Sequence, residues 1–257
     1  MAIWTPFAHT RAYPFDALRT AAQWEQLHAG DKEPLPQDER LLAAWALYHS
    51  GAFQDATQAG LAIGPAGLAV ANKATCIYAN YLEPKEHGRL SLFLTVAERA
   101  AAQAAVLPED ASAHYWQAYS LGRYSQGISV AKALAQGVGE RVKAALERAI
   151  QLRPLHAEAH ICLGTFHAEV IDKVGPLIGQ MTYGAKKETS LVLFQQALSL
   201  TPQSAIAQME FANALVMLEG DDGMEQATQL YEQAASSQPL DAMEHLDREL
   251  AQTLLAN

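Results

Sequence analysis

The chain has 257 residues, half of them hydrophobic, and its 28 acidic and 18 basic residues give a formal net charge of −10. This charge repels phosphate backbones and anionic lipid, so we expect neither nucleic acid nor a membrane as a partner. The first residues lack the continuous apolar core of a signal peptide, and no apolar run approaches the ~18 residues of a membrane span. The sequence therefore predicts a cytoplasmic protein. Cys76 and Cys162 are too few for a disulfide framework and are expected to be buried thiols.

The N-terminal part of the chain has the apolar periodicity of amphipathic helices and no alternation typical of strands. Residues 1–40 are predicted to hold one helix and an irregular connector, since residues 28–38 are rich in glycine, proline and charge. Residues 41–107 are interpreted as degenerate helix pairs, with a tight turn at Ser50-Gly51. The predicted helices in this part span about residues 17–28, 37–50, 52–63, 66–81 and 85–106.

A short sequence motif recurs in the next part, residues 108–239. It reads ALERAIQLRPLHAEAHICLG from Ala145 to Gly164, and parts of it return in FQQALSLTP and LYEQAASSQP. A small residue precedes the proline by five positions in each copy, and a large one precedes it by eight. These two positions lie on one helical face, where the small residue lets a neighbouring helix approach. The residues are Ala149, Ala197 and Ala234, and Leu146, Phe194 and Tyr231.

This pattern resembles the tetratricopeptide (TPR) family, most clearly from about Ala145 to Pro239, with the family's Leu-Gly pair at Leu163-Gly164. The resemblance implies an all-α, right-handed, TPR-like solenoid of antiparallel helix pairs. We expect one domain over residues 1–257, closed by a capping helix in residues 240–257, because a terminal unit must cover the last apolar face.

The intervals between matching positions are longer than the family's by about 8, 14 and 3 residues, and the extra length falls in the turn within each pair. The two long insertions, residues 127–139 and 174–184, are apolar and punctuated by glycine. Such segments either pack under the edge of the repeat or form an exposed apolar patch. We expect the function specific to this protein to reside in them, and a homodimer through them is one outcome.

What the resemblance implies for function is a non-catalytic scaffold that binds a protein or peptide in a concave groove. The sequence carries no nucleophile motif, so we expect no enzyme and no cofactor. His160 and Gln208 stand where the family has a tryptophan, and Arg123 and Lys186 are candidate anion contacts. The candidate partner-binding residues are Tyr115, Tyr119, Arg123, His160, His167, Lys186, Gln208 and Asn213.

A second hypothesis is a small-ligand or metal-binding protein with a pocket closed by the inserted loops. His156 and His160 are four residues apart, a spacing found among metal ligands, and His167 shares their helical face. The ligand set is incomplete, and packing within the repeat also explains these histidines. Lys186 follows a glycine pair that resembles a phosphate-binding loop, but Ala185 occupies the lysine position and no strand precedes it.

Overall fold

The computed structural model describes residues 3–256, which form α-helices, three short 3-10 helices and no strand. The prediction of an all-α chain is confirmed. The α-helices are α1 (Ala17–Ala22), α2 (Trp24–Leu27), α3 (Glu39–His49), α4 (Phe53–Ile63), α5 (Leu68–Tyr81), α6 (Glu86–Val106), α7 (Ala111–Gln126), α8 (Val130–Ala135), α9 (Val138–Leu152), α10 (Ala157–Val174), α11 (Pro176–Tyr183), α12 (Lys187–Leu200), α13 (Ala205–Glu219), α14 (Met224–Ala235) and α15 (Ala242–Leu255).

The helices group into two compact units. The first unit contains the chain up to Leu152, apart from residues 29–32, together with residues 240–243. Its helices pack as hairpins, α3 with α4, α5 with α6, and α7 with α9. The second unit contains residues 29–32, residues 153–239 and the chain from Glu244. Here α10 packs against α12 and α13, and α13 packs against α14. Both units are therefore built from helical hairpins, and in two of them a short helix lies between the paired helices.

The prolines of the recurring motif lie between hairpins, as the sequence predicts. Pro154 separates α9 from α10, and Pro202 separates α12 from α13. The residue two positions after each proline caps the next helix: His156 accepts from the amide of Ala159, and Ser204 accepts from the amide of Ala207. Each proline follows the last residue of the preceding helix by two positions, where a proline is common because it cannot continue that helix.

The residues at the small and large positions of the motif form the contacts that the pattern predicts. Ala149, Ala197 and Ala234 are fully buried, and Phe194 is buried with its ring stacked on Phe211 at a centroid distance of 5.2 Å. Gly164 lies so close to Phe194 that a Cβ atom at this glycine would lie 2.9 Å from the ring. The small residue thus permits close helix packing in the second unit.

The insertions form additional short helices. Helix α8 lies in the turn between α7 and α9, α11 lies between α10 and α12, and a 3-10 helix, Gly220–Gly223, joins α13 to α14. Helix α11 leaves its apolar side chains in solvent: Leu177 is 72% exposed, Ile178 57% and Met181 80%. The insertions were expected either to pack under the edge of the repeat or to form an exposed apolar patch, and α11 forms the patch.

One predicted helix differs from the structure. The helix expected over residues 17–28 is interrupted at Gln23, which separates α1 from α2. The interruption accompanies the burial of Trp24, whose indole N–H donates to the carbonyl of Glu33 at 2.8 Å and whose ring stacks on His28. The C-terminal helix, predicted within residues 240–257, extends from Ala242 to Leu255. Among the described helices, none is both long enough and apolar enough to cross a bilayer.

Buried polar side chains join residues 240–243 to α3 in the first unit. His49 Nδ1 donates to Asp241 Oδ2 at 2.6 Å, and its Nε2 lies 3.4 Å from Nε2 of His28. All three side chains are buried. Because an unpaired buried carboxylate is costly, the hydrogen bond between His49 and Asp241 fixes this late segment against an early helix.

Candidate functional site

The aromatic residues predicted to bind a partner lie on α7, at the N-terminal side of the insertion that forms α8. Tyr115 is buried and packs edge-on against Trp116, with ring centroids 4.7 Å apart. Tyr119 is half-buried, and the guanidinium of Arg123 lies 5.4 Å from its ring centroid. A cation over an aromatic face is a stabilising arrangement, and Nη1 of Arg123 also donates to Oε1 of Gln126 at 3.3 Å. Tyr119 and Arg123 are therefore the partly exposed members of this cluster, whereas Tyr115 and Trp116 are buried.

His160 and Gln208 are buried and have the same structural role in successive repeats. Nε2 of His160 lies 2.9 Å from the carbonyl oxygen of Pro154, and Nε2 of Gln208 donates to the carbonyl of Pro202 at 3.0 Å. His114 repeats the contact with Pro108 at 3.0 Å. The partner is a carbonyl, so the imidazole Nε2 atoms must carry the proton. Each side chain closes the loop that precedes its helix.

The remaining predicted residues of the second unit also engage the scaffold. His167 is buried, and its Nδ1 accepts from the amide of Lys186 at 3.2 Å. The Lys186 side chain is exposed. Its backbone N–H, however, donates to His167, so that N–H is not available to an anion at the start of α12. Asn213 Oδ1 accepts from the hydroxyl of Tyr231. These bonds hold helices together within the unit.

The three histidines of the metal hypothesis each use a ring nitrogen for a backbone group. His156 accepts from the amide of Ala159 at 3.2 Å, and His160 and His167 have the backbone partners given above. Within residues 3–256, their nitrogen atoms do not form a group within 4.8 Å of one another. In this structure each of the three histidines bonds to a backbone group, and their nitrogen atoms do not point to one place as the ligands of a metal ion would.

A further polar cluster in the first unit escaped sequence analysis. Its members, which we call the Arg99 cluster, are Asn72 and Thr75 on α5 and Arg99 on α6. Arg99 Nε donates to Asn72 Oδ1 at 2.7 Å, and its Nη2 lies 3.5 Å from Thr75 Oγ1. The sequence signal is a single arginine in the alanine-rich run of α6, which periodicity alone does not distinguish from a solvent-facing residue.

The Arg99 cluster lies beside the buried thiol of Cys76. Burial raises the pKa of this thiol, and the positive charges of Arg99 and Arg123 act in the opposite direction. Burial also lowers the pKa of Arg99. The thiol remains protonated, so it supplies no negative charge to the two guanidinium groups.

The hairpins, the buried alanines and the proline connectors define a TPR-type helical repeat protein. A solved structure with this fold, a thermophilic TPR protein from Thermus thermophilus, superposes with a TM-score of 0.58 at 17% sequence identity, covering 83% of this chain and 97% of that chain. The resemblance to the TPR fold is confirmed.

Residues 68–257 match the family described as regulator of microtubule dynamics protein 1-3. The chain belongs to this family. No curated protein sequence matches the chain significantly.

Proposed function

We propose that this protein is a non-catalytic scaffold that binds a protein or peptide partner. The observation that carries the proposal is the TPR-type repeat, in which stacked hairpins form an extended surface suited to chain-like ligands. The residues of the described chain that we assign to partner contact are Tyr119 and Arg123, which are half-buried on α7. Tyrosine and arginine are favoured contact residues because each combines a large surface with directional hydrogen bonds.

The family description supports a narrower inference about the partner. It names a regulator of microtubule dynamics, so we infer that the partner is a protein of the microtubule system. Co-sedimentation of the purified chain with microtubules tests direct binding, and the same assay with added cell extract tests binding through a third protein. If the chain remains in the supernatant in both assays, this narrower inference is wrong.

The broader proposal is tested by capture of partners from a native extract on the immobilised chain. We expect the variant Tyr119→Ala, Arg123→Ala to retain much less of the partners than the wild type. Arg141→Ala is the matched control, because Arg141 is an exposed arginine on α9 of the same unit. Circular dichroism establishes that all three proteins are folded. If the wild type retains no protein above the level of an unrelated helical protein, the scaffold proposal is wrong.

Self-association is a second candidate, favoured by one specific observation. Leu177, Ile178 and Met181 on α11 present an exposed apolar surface on an insertion of the repeat. An isologous contact of two such surfaces would bury them in a homodimer. Light scattering across a concentration series measures the mass of the wild type and of Met181→Glu. A monomeric wild type at every concentration would rule out this homodimer.

A further inference from the structure

Residues 3–7, which we call the strap, lie against the first unit without forming a helix or a strand. Two of the strap's side chains are withdrawn from solvent: Trp4 is half-buried, and Phe7 is only 4% exposed. Thr5 and Pro6, which lie between them, are exposed, and so is Ile3. The strap therefore packs on the unit through two aromatic side chains that are three positions apart.

The helices supply hydrogen-bond acceptors to the backbone of the strap. The amide N–H of Trp4 donates to Oε1 of Gln54 on α4 at 3.1 Å. The amide N–H of Thr5 donates to the hydroxyl oxygen of Tyr78 on α5 at 3.4 Å, and this hydroxyl donates in turn to Glu83 at 2.9 Å. Side chains thus satisfy backbone groups that a regular element would pair with other backbone groups. Extended peptides bound in trans are held in a similar way, by main-chain hydrogen bonds together with pockets for side chains.

Each aromatic side chain of the strap has a matching place on the helices. The ring of Trp4 stacks on the ring of Tyr78, with centroids 4.0 Å apart and planes at 12°. The ring of Phe7 lies beside Gly51, in the turn between α3 and α4, where a Cβ atom would lie 2.3 Å from it. Gly51 also has a φ of +83°, which favours glycine. The turn is therefore shaped to receive an aromatic ring.

The strap also has the properties of a segment that can leave its site. Pro6 fixes its own φ and favours an extended conformation at Thr5, which lowers the entropy lost on binding. Segments that are held by few buried contacts open at free energies far below that of global unfolding. The strap, Gly51 and Gln54 lie outside residues 68–257, the part of the chain that matches the family.

We propose that the strap is an intramolecular ligand, and that Gly51, Gln54 and Tyr78 form a binding site for an extended peptide with aromatic residues at positions i and i+3. A partner segment of this chemistry binds the first unit by replacing the strap. This inference goes beyond the proposed function, because the site lies on α4, α5 and the turn before α4, and not at Tyr119 and Arg123 on α7.

The test uses a labelled, capped peptide with the sequence of residues 3–9, IWTPFAH, and measures its binding to the full chain by fluorescence anisotropy. A tethered ligand has an effective concentration on the order of millimolar, so the strap of the wild type should exclude a micromolar peptide. In the variant Trp4→Ala, Phe7→Ala the strap is weakened, and we expect the peptide to bind at least about tenfold more tightly than to the wild type. The peptide IATPAAH, which lacks both aromatic residues, should bind neither protein.

Substitutions on the helices locate the binding. In the chain with the weakened strap, we expect Gln54→Ala to lower the affinity for the peptide severalfold, because the amide N–H of the bound tryptophan loses its acceptor. Gln58→Ala is the matched control, since Gln58 is an exposed glutamine one turn further along α4, and it should leave the affinity unchanged.

A second measurement covers the case in which loss of the buried Phe7 ring unfolds the double variant, as circular dichroism would reveal. The single variant Trp4→Ala then takes its place, because this side chain is only half-buried. In the wild type, the peptide at millimolar concentration should also accelerate hydrogen exchange at the amides of Trp4 and Thr5, since these amides lose their acceptors when the strap leaves.

Two results would overturn the inference: the peptide binds no more tightly to the folded strap variant than to the wild type, or IATPAAH binds as tightly as IWTPFAH. The strap would then be a fixed part of the fold. Neither result bears on the capture of partners by the wild type, so the proposed function stands or fails separately.

Discussion

The imidazole Nε2 of His160 lies 2.9 Å from the carbonyl oxygen of Pro154, six residues earlier in the chain. Gln208 makes the equivalent contact with Pro202 in the next repeat, although histidine and glutamine differ in shape and in acid–base chemistry. What the two side chains share is a nitrogen donor at a similar distance from the backbone. The position therefore selects a hydrogen-bond donor for the loop before each helix.

This relationship predicts that the two side chains are interchangeable. His160→Gln should retain the stability of the wild type, whereas His160→Leu should lower the free energy of unfolding by about 0.5–1.5 kcal/mol, because the carbonyl of Pro154 loses its hydrogen-bond donor. Urea denaturation followed by circular dichroism measures both values. Equal stability of the Leu and Gln variants would contradict this structural role.

Two glycines that each follow a leucine, Gly164 in α10 and Gly122 in α7, should respond differently to the same substitution. Gly164→Ala should be destabilising by about 1–3 kcal/mol, because its Cβ would lie 2.9 Å from the buried ring of Phe194. Gly122→Ala should be neutral or stabilising by up to about 1 kcal/mol, since a Cβ atom at this position within α7 would have no atom within 4 Å. Denaturant midpoints of both variants provide the comparison, and a stabilised Gly164→Ala would show that the ring moves away freely.

The buried hydrogen bond between His49 and Asp241 predicts a large effect from a C-terminal substitution. Asp241→Ala should lower the free energy of unfolding by about 1–3 kcal/mol, because the N–H of His49 would remain buried without an acceptor. The matched control is Glu147→Gln, which removes an exposed ion pair with Lys143 and should change stability by about 0.5 kcal/mol or less. Similar losses in both variants would argue against a special contribution from Asp241.

The two thiols should differ in reactivity. Cys76 is fully buried and burial raises its pKa, whereas Cys162 is only partly buried. Because the thiolate is the reactive form, iodoacetamide should modify Cys162 well before Cys76 in the folded protein. Mass spectrometry of peptides after timed alkylation measures the order, and Cys162→Ser serves as the control. Equal rates in the native state would contradict the burial of Cys76.

The sequence predicted the parts of the fold that depend on local patterns. Ala149, Ala197 and Ala234 were expected at close helix contacts and are fully buried, because a fixed spacing from the proline places them on the packing face of every copy. The insertions were located correctly, but their helical structure was not predicted. A segment as short as α11 has little helical preference of its own, so its context decides.

The candidate site was less accessible to sequence reasoning. His160 and Gln208 were interpreted as partner contacts because they replace a family tryptophan, whereas their donors bind backbone carbonyls. Their regular spacing of six residues after a proline could have indicated this role. The Arg99 cluster joins Asn72 to a residue 27 positions later, and only the packing of α5 against α6 brings them together.

The contact of residues 240–243 with α3 also has a consequence for synthesis. A ribosome releases the chain from its N-terminus, so α3 emerges long before Asp241. The first unit therefore waits for nearly the entire chain before His49 gains its acceptor, and contacts so distant in sequence form slowly. During translation, His49 therefore lacks this acceptor until Asp241 has emerged from the ribosome.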